Sequence, residues 1–376
     1  MIQTVLKHRI TLAFSYLMLG VLSTASAQMF KHAWPNTNFE QTSVEWSEIM
    51  SGGPPRDGIP PIDAPNFDTV TEAEQWVADS EPVIVVSVDD DARAYPLQIM
   101  TWHEIVNDSV GGVPLSITFC PLCNASIVFD RRLDGNILDF GTTGLLRKSD
   151  LVMWDRQTES WWQQFAGEAI VGDQLGKTLQ RYPSSIVAFH TFREAHPNGK
   201  VLNRDTGHRR AYGENPYQGY DDIDNNPFLL REPVDGRLPA MERVIGVKMD
   251  DDHTIYPFSL FDETSLIEDD VNGHSIVVFK SGELNSALDA QQISGSRMVP
   301  EITAFRRNTV SGENALRFSM IDGVLRDQQT GSEWNAFGRA IKGPMAGDQL
   351  MPVDSGVHFA FAWLAFNPDT RIYSNE

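Results

Sequence analysis

A block of sequence that occurs twice constrains this 376-residue chain more than any other feature. Val86-Ser87-Val88-Asp89-Asp90-Asp91 is followed four positions on by Tyr95-Pro96-Leu97. Val247-Lys248-Met249-Asp250-Asp251-Asp252 is followed at the same spacing by Tyr256-Pro257-Phe258. The register continues through Asp108-Ser109-Val110-Gly111-Gly112 against Asp269-Asp270-Val271-Asn272-Gly273. It reaches Asp155-Arg156-Gln157-Thr158 with Trp162 against Asp327-Gln328-Gln329-Thr330 with Trp334. Blocks that recur in one order argue for an internal duplication. The expected layout is copy one at 82–204, a polar linker at 205–240, and a more degenerate copy two at 241–376. An extended Pro- and Gly-rich segment at 28–81 precedes them.

Each copy reads as mainly β with short helices, so the expected fold class is α+β with two related β-rich domains. Val83–Val88, Leu115–Phe119, Ser126–Phe129 and Ile137–Phe140 are short apolar or alternating runs between turn signals such as Gly111-Gly112 and Asp134-Gly135. Helical spacing over Leu97–Asn107 puts Ile99, Trp102, His103 and Val106 on one stripe. A second short helix is expected over Thr71–Ala78, with Thr71 as N-cap and Glu74 in the capping-box position.

The N-terminus carries a different signal. Lys7, His8 and Arg9 precede an apolar run from Ile10 to Leu22, and Ala25-Ser26-Ala27 offers a small-x-small cleavage site. A run of about 13 residues is shorter than the ~20 a membrane span needs, so residues 1–27 read as a signal peptide. The expected location is periplasmic or secreted, with no membrane span after cleavage. Formal net charge is −21. Cleavage would deepen it, since residues 1–27 hold Lys7 and Arg9 and no acid. A field of that sign repels nucleic-acid phosphates and anionic lipid, and leaves a metal ion or small molecule as the plausible class of partner.

Only two cysteines occur, Cys120 and Cys123, spaced C-P-L-C, with His103 and Glu104 upstream. In the repeat register Cys120 falls on Ser281, Cys123 on Leu284, His103 on Thr264 and Glu104 on Ser265, so all four belong to copy one alone. The C-P-L-C segment lies between two predicted strands, as a hairpin tip rather than the helix start that activates thioredoxin-type thiols. A C-P-x-C tip followed by Asn124, a residue that tolerates positive φ, has the form of a metal knuckle. Its expected ligands are Cys120, Cys123 and His103, with His190, His196 or Met153 as a fourth. Copper, zinc or iron would suit such sets. Two alternatives remain open: a thiol–disulfide oxidoreductase using Cys120 and Cys123, with Glu104 or His103 moving protons, and a non-enzymatic interaction protein with a structural disulfide.

The loop Gly141–Ser149 brings Arg147 and Lys148 beside Thr142, Thr143 and Ser149, and Arg147 joins Glu104 as a candidate catalytic residue. His103-Glu104 is not the start of a zinc-protease H-E-x-x-H helix, because Asn107 stands where the second histidine belongs. Nucleophile-elbow, Walker and dinucleotide fingerprints do not occur.

With these residues in view, the chain resembles a bacterial family of exported proteins known only as a domain of unknown function, numbered thirty-one seventy-nine. The resemblance rests on Tyr95-Pro96-Leu97, His103-Glu104-Ile105-Val106-Asn107-Asp108, Thr118-Phe119-Cys120-Pro121-Leu122-Cys123, Phe140-Gly141, Gly144-Leu145 and Asp155-Arg156-Gln157-Thr158. It departs from the family pattern at Asn124, where glycine is usual. The resemblance implies an exported location and brings no reaction with it.

Overall fold

A computed structural model describes residues 30–375. The signal-peptide reading of residues 1–27 therefore lies outside the described residues. Among those residues no helix is long and apolar enough to cross a membrane.

The chain is mainly β, built from three larger sheets and a two-stranded hairpin before the 205–240 segment, three sheets after it, and a few short helices. In the first half β1 (Pro82–Val88) and β2 (Asp91–Pro96) form a hairpin whose turn places Asp89 at φ 50°. The run Pro-Val-Ile-Val-Val is buried throughout, as expected of β-branched residues in a strand covered on both faces. Helix α1 (Leu97–His103) leads into β3 (Ile105–Val110), which pairs with β4 (Val113–Cys120), and β4 with β5 (Ala125–Asp130). A third sheet contains β6 (Phe140–Arg147) and β7 (Asp150–Asp155).

The second half repeats this strand order. There β8 (Arg243–Met249) pairs with β9 (Asp252–Pro257), and β10 (Asp354–Phe359) flanks β8 as residues Ser185–Ala188 flank β1. A late strand adds in parallel to β2 at Lys200–Leu202 and to β9 at Arg371–Ile372. Side chains match as well. Tyr95 Oη donates to Asp108 Oδ2 at 2.6 Å, and Tyr256 Oη to Asp269 Oδ2 at 2.6 Å. Asp155 accepts from Thr158 N at 2.6 Å and Trp162 Nε1 at 2.9 Å; Asp327 accepts from Thr330 N at 2.6 Å and Trp334 Nε1 at 3.1 Å. The residues aligned by sequence thus make the same contacts.

Four local expectations change. The helix from Leu97 stops at His103, because Glu104 turns into the left-handed region (φ 59°) and Ile105-Val106 join the β3–β4 ladder. The first helix is Val70–Ala73, capped by Thr69 with Glu72 reciprocating, two residues before the expected Thr71 and Glu74. Thr69 and Thr71 both fit the capping-box spacing; Thr69 wins because it ends the strand Phe67–Thr69. Ile137–Phe140 is not one strand: Asn136–Ile137 closes a small hairpin and Phe140 opens β6. Finally, the segment 205–240, expected as a polar linker, also makes apolar contacts. It folds over the first half through Tyr212, Tyr217 and Tyr220, which pack against the largest apolar core, itself contributed by both halves.

Candidate thiol–carboxylate site

Two hairpins build the site. The β4–β5 ladder runs up to Cys120 opposite Ala125, and a single 3-10 turn over Pro121–Cys123 closes it. Asn124 takes φ 48°, as the knuckle form requires, and both cysteines point into the core with 1% and 0% exposure. Their sulfurs are unbridged. The β6–β7 hairpin turns through Lys148 and Ser149, both at positive φ, and delivers Asp150 at the first position of β7. Cys123 Sγ donates to Ser149 O at 3.5 Å.

Asp150 is the residue that the sequence reading missed. Ligand atoms of Cys120, Cys123 and Asp150 lie within 4.8 Å of one another, and all three residues are buried. Asp150 Oδ2 accepts from Gln163 Nε2 at 2.6 Å and from Phe165 N at 2.9 Å, whereas Oδ1 has no partner. Burial lifts the Asp150 carboxyl to about 6 against hydrogen bonds from Gln163, Phe165 and, in lesser measure, the two thiols, and burial raises both thiols. A signal for Asp150 existed: it opens a strand whose other residues are nearly all apolar, immediately after the Gly141–Ser149 loop.

The other sequence candidates divide. Glu104 is buried beside the group: the Asp150 charge raises Glu104, and both carboxylates raise Cys120. Burial foremost, with Asp150 adding, pushes its carboxyl to about 8, and Tyr217 Oη donates to Glu104 Oε1 at 3.4 Å. Arg147 lies one layer out. It pairs with Glu48 and donates to Gln163 Oε1 at 3.4 Å, so it reaches Asp150 through Gln163.

His103 does not join the thiols. Its Nδ1 donates to Pro60 O at 2.7 Å, which leaves Nε2 to accept from Tyr212 Oη at 2.6 Å. With both nitrogens occupied and burial lowering its pKa to about 4, it is a neutral, hydrogen-bonded core imidazole. His190 bonds the Asp79 carbonyl at 3.0 Å, and His196 packs on Phe192 and Phe337.

A cavity of about 450 Å³ opens beside the group, lined by Glu104, Leu122, Leu151, Tyr217, Tyr220 and Phe228 among others. Tyr220 Oη donates to Leu122 O at 3.1 Å and tethers the covering segment to the cysteine turn. Three aromatic residues in Tyr217–Phe228 were the clue that this stretch packs rather than solvates. Chemically, the arrangement offers two soft donors and one oxygen donor under a mostly apolar roof, with a neutral carboxylic acid at its edge.

No curated protein and no solved structure matches the chain. One family model does, over residues 56–370, which takes in both halves, the cysteine turn, Asp150 and the segment that covers them. The chain belongs to the family described as Protein of unknown function (DUF3179).

Proposed function

We propose that this is an exported metal-binding protein, its first half carrying the site and its two halves descending from one duplicated unit. The ligands are Cys120, Cys123 and Asp150, in place of the His103 set expected from sequence. The observation that carries this reading is the convergence of the buried Asp150 carboxylate with two buried free thiols, which are the only groups facing its Oδ1 and are too weak or too far to complete a normal hydrogen bond to it. A buried acceptor served only by weak S–H donors is poorly satisfied, and a cation that displaces the thiol protons would satisfy it.

Two sulfurs and one oxygen suit zinc, or iron, better than copper(I), which prefers an all-sulfur set. Three protein ligands leave a fourth position, and the cavity beside Glu104 gives a small molecule or water access to it. Elemental analysis of protein purified from the periplasm tests this. We expect about one zinc or iron per chain, lost in Asp150→Ala and Cys120→Ser variants that still fold. Metal-free protein that takes up neither ion when reduced would overturn the reading.

The redox alternative has one observation in its favour, the protonated Glu104 carboxyl beside the thiols, which could serve as a proton donor. Against it, burial raises both thiols, and a high-pKa buried thiol is a poor nucleophile.

A further inference from the structure

A second cavity, of about 460 Å³, lies on the other side of Gln163 and Phe165, the residues that hold Asp150. Its charge is the reverse of the protein's. The chain carries 51 acidic against 30 basic side chains, yet Arg147, Lys148, Arg181, Lys248 and His253 converge here, facing Glu168 and Asp354.

The pairing within the lining leaves donors unclaimed. Asp354, Lys248 and His253 stand in one row across β10, β8 and β9, being direct register partners. Arg181 takes Asp354 at 3.1 Å, so Lys248 has no carboxylate within ion-pair distance among the described residues. His253 Nε2 is buried without a hydrogen-bond partner. Arg147 and Lys148 are drawn outward by Glu48 and, at 3.8 Å, by Glu232, and supply field rather than free donors. In the repeat register Lys248 falls on Ser87 and His253 on Ala92, so the first half has no equivalent row.

We infer that this chamber, walled by both halves, is a binding site for a small oxyanion or carboxylate, held directly by Lys248 and His253 and oriented by Arg181. Its size is that of an ordinary small-ligand pocket. A compact anion would pair with the exposed Lys248 ammonium and, once the His253 ring turns its covered Nε2 towards the chamber, with His253, and would meet the guanidinium groups through charge-assisted hydrogen bonds. The second half then contributes a ligand site of its own. The inference stands whether or not the thiol site holds a metal.

The test uses the mature full-length protein, with inorganic phosphate and malonate as probes, malonamide as the uncharged control, and calorimetry as the readout, beside the change in intrinsic fluorescence that is lost in a Trp363→Phe variant, Trp363 being the tryptophan that lines the chamber. We expect saturable binding of at least one anion and none of malonamide. Lys248→Gln and His253→Gln should each weaken it about tenfold or more, a loss of about 1.4 kcal/mol. Lys280→Gln, a lysine paired elsewhere with Glu283, should leave it unchanged. Binding of phosphate alone would identify a tetrahedral oxyanion site, and of malonate alone a carboxylate site. Absence of saturable binding, equal binding of malonamide, or equal weakening by Lys280→Gln overturns the inference.

Discussion

Glu104 closes helix α1 in the left-handed region, a conformation that costs a non-glycine residue about 1 kcal/mol or more, and it does so while buried against Asp150. Its carboxyl titrates near 8 when folded, against 4.5 for an ordinary glutamate. The folded state therefore holds this proton more tightly than the unfolded chain does. The resulting stabilisation is complete below about pH 4.5 and is lost as pH rises through 8, with a slope of up to about 1.4 kcal/mol per pH unit. Glu104→Gln mimics the protonated acid and does not titrate. Urea unfolding of metal-free protein from pH 5 to 9 should show the variant gaining on the wild type as pH rises and levelling off above 8. Parallel curves would mean that Glu104 is ionised in the folded protein. None of this was legible in the sequence, where Glu104 stood on a predicted helix; its environment comes from Asp150 and Tyr217, 46 and 113 positions away.

Strands and turns were easier to read than contacts between elements. β1, β4 and β5 coincide with apolar runs because a strand covered on both faces leaves an unbroken hydrophobic signature, and the cysteine turn was placed by its proline and asparagine. The helix end at His103 was missed because local spacing carried on through Val106, while the ladder to β4 decided the backbone. The site depends on a similar long-range fit at Gly144. There φ is +71°, and an added Cβ would lie 1.9 Å from the Pro54 carbonyl oxygen, a backbone atom that cannot step aside alone. Pro54 and Gly144 both line the cavity beside Glu104. Gly144→Ala should thus destabilise by about 1–3 kcal/mol through overpacking, with more from the left-handed backbone. Thermal unfolding checks the loss, and limited proteolysis should open the chain near Pro54 first. An unchanged melting temperature would show that the Pro54 segment does not press on β6.

Across the whole molecule, the thiol–carboxylate group occupies one half and the cationic row the other, and the shared core holds the halves together. His358 sits at that seam, fully buried on β10, its ring 4.9 Å from Phe165 of the first half and 5.1 Å from Trp363 of the second. Its Nδ1 has no hydrogen-bond partner. Burial, with the nearby Arg181 charge, lowers its pKa to about 3 from 6.5. The unfolded chain takes up a proton here that the folded protein refuses, so His358 contributes stability that is present above pH 6.5 and lost as pH falls towards 3. The slope is up to about 1.4 kcal/mol per pH unit. Other groups titrate in the same window: His103 adds to the loss, and Glu104 offsets it as it gains its proton. The comparison that isolates His358 is wild type against His358→Phe, which keeps an aromatic ring between Phe165 and Trp363 and cannot be protonated. Whatever the offset between the two at pH 7.5, their stabilities should run parallel above pH 6.5. Below it the variant should gain steadily on the wild type. Retained parallelism down to pH 4 would mean that the seam accommodates a charged imidazole, and hence that water or a carboxylate reaches it where Phe165, Trp363 and the sheet enclose it and the nearby charge is that of Arg181.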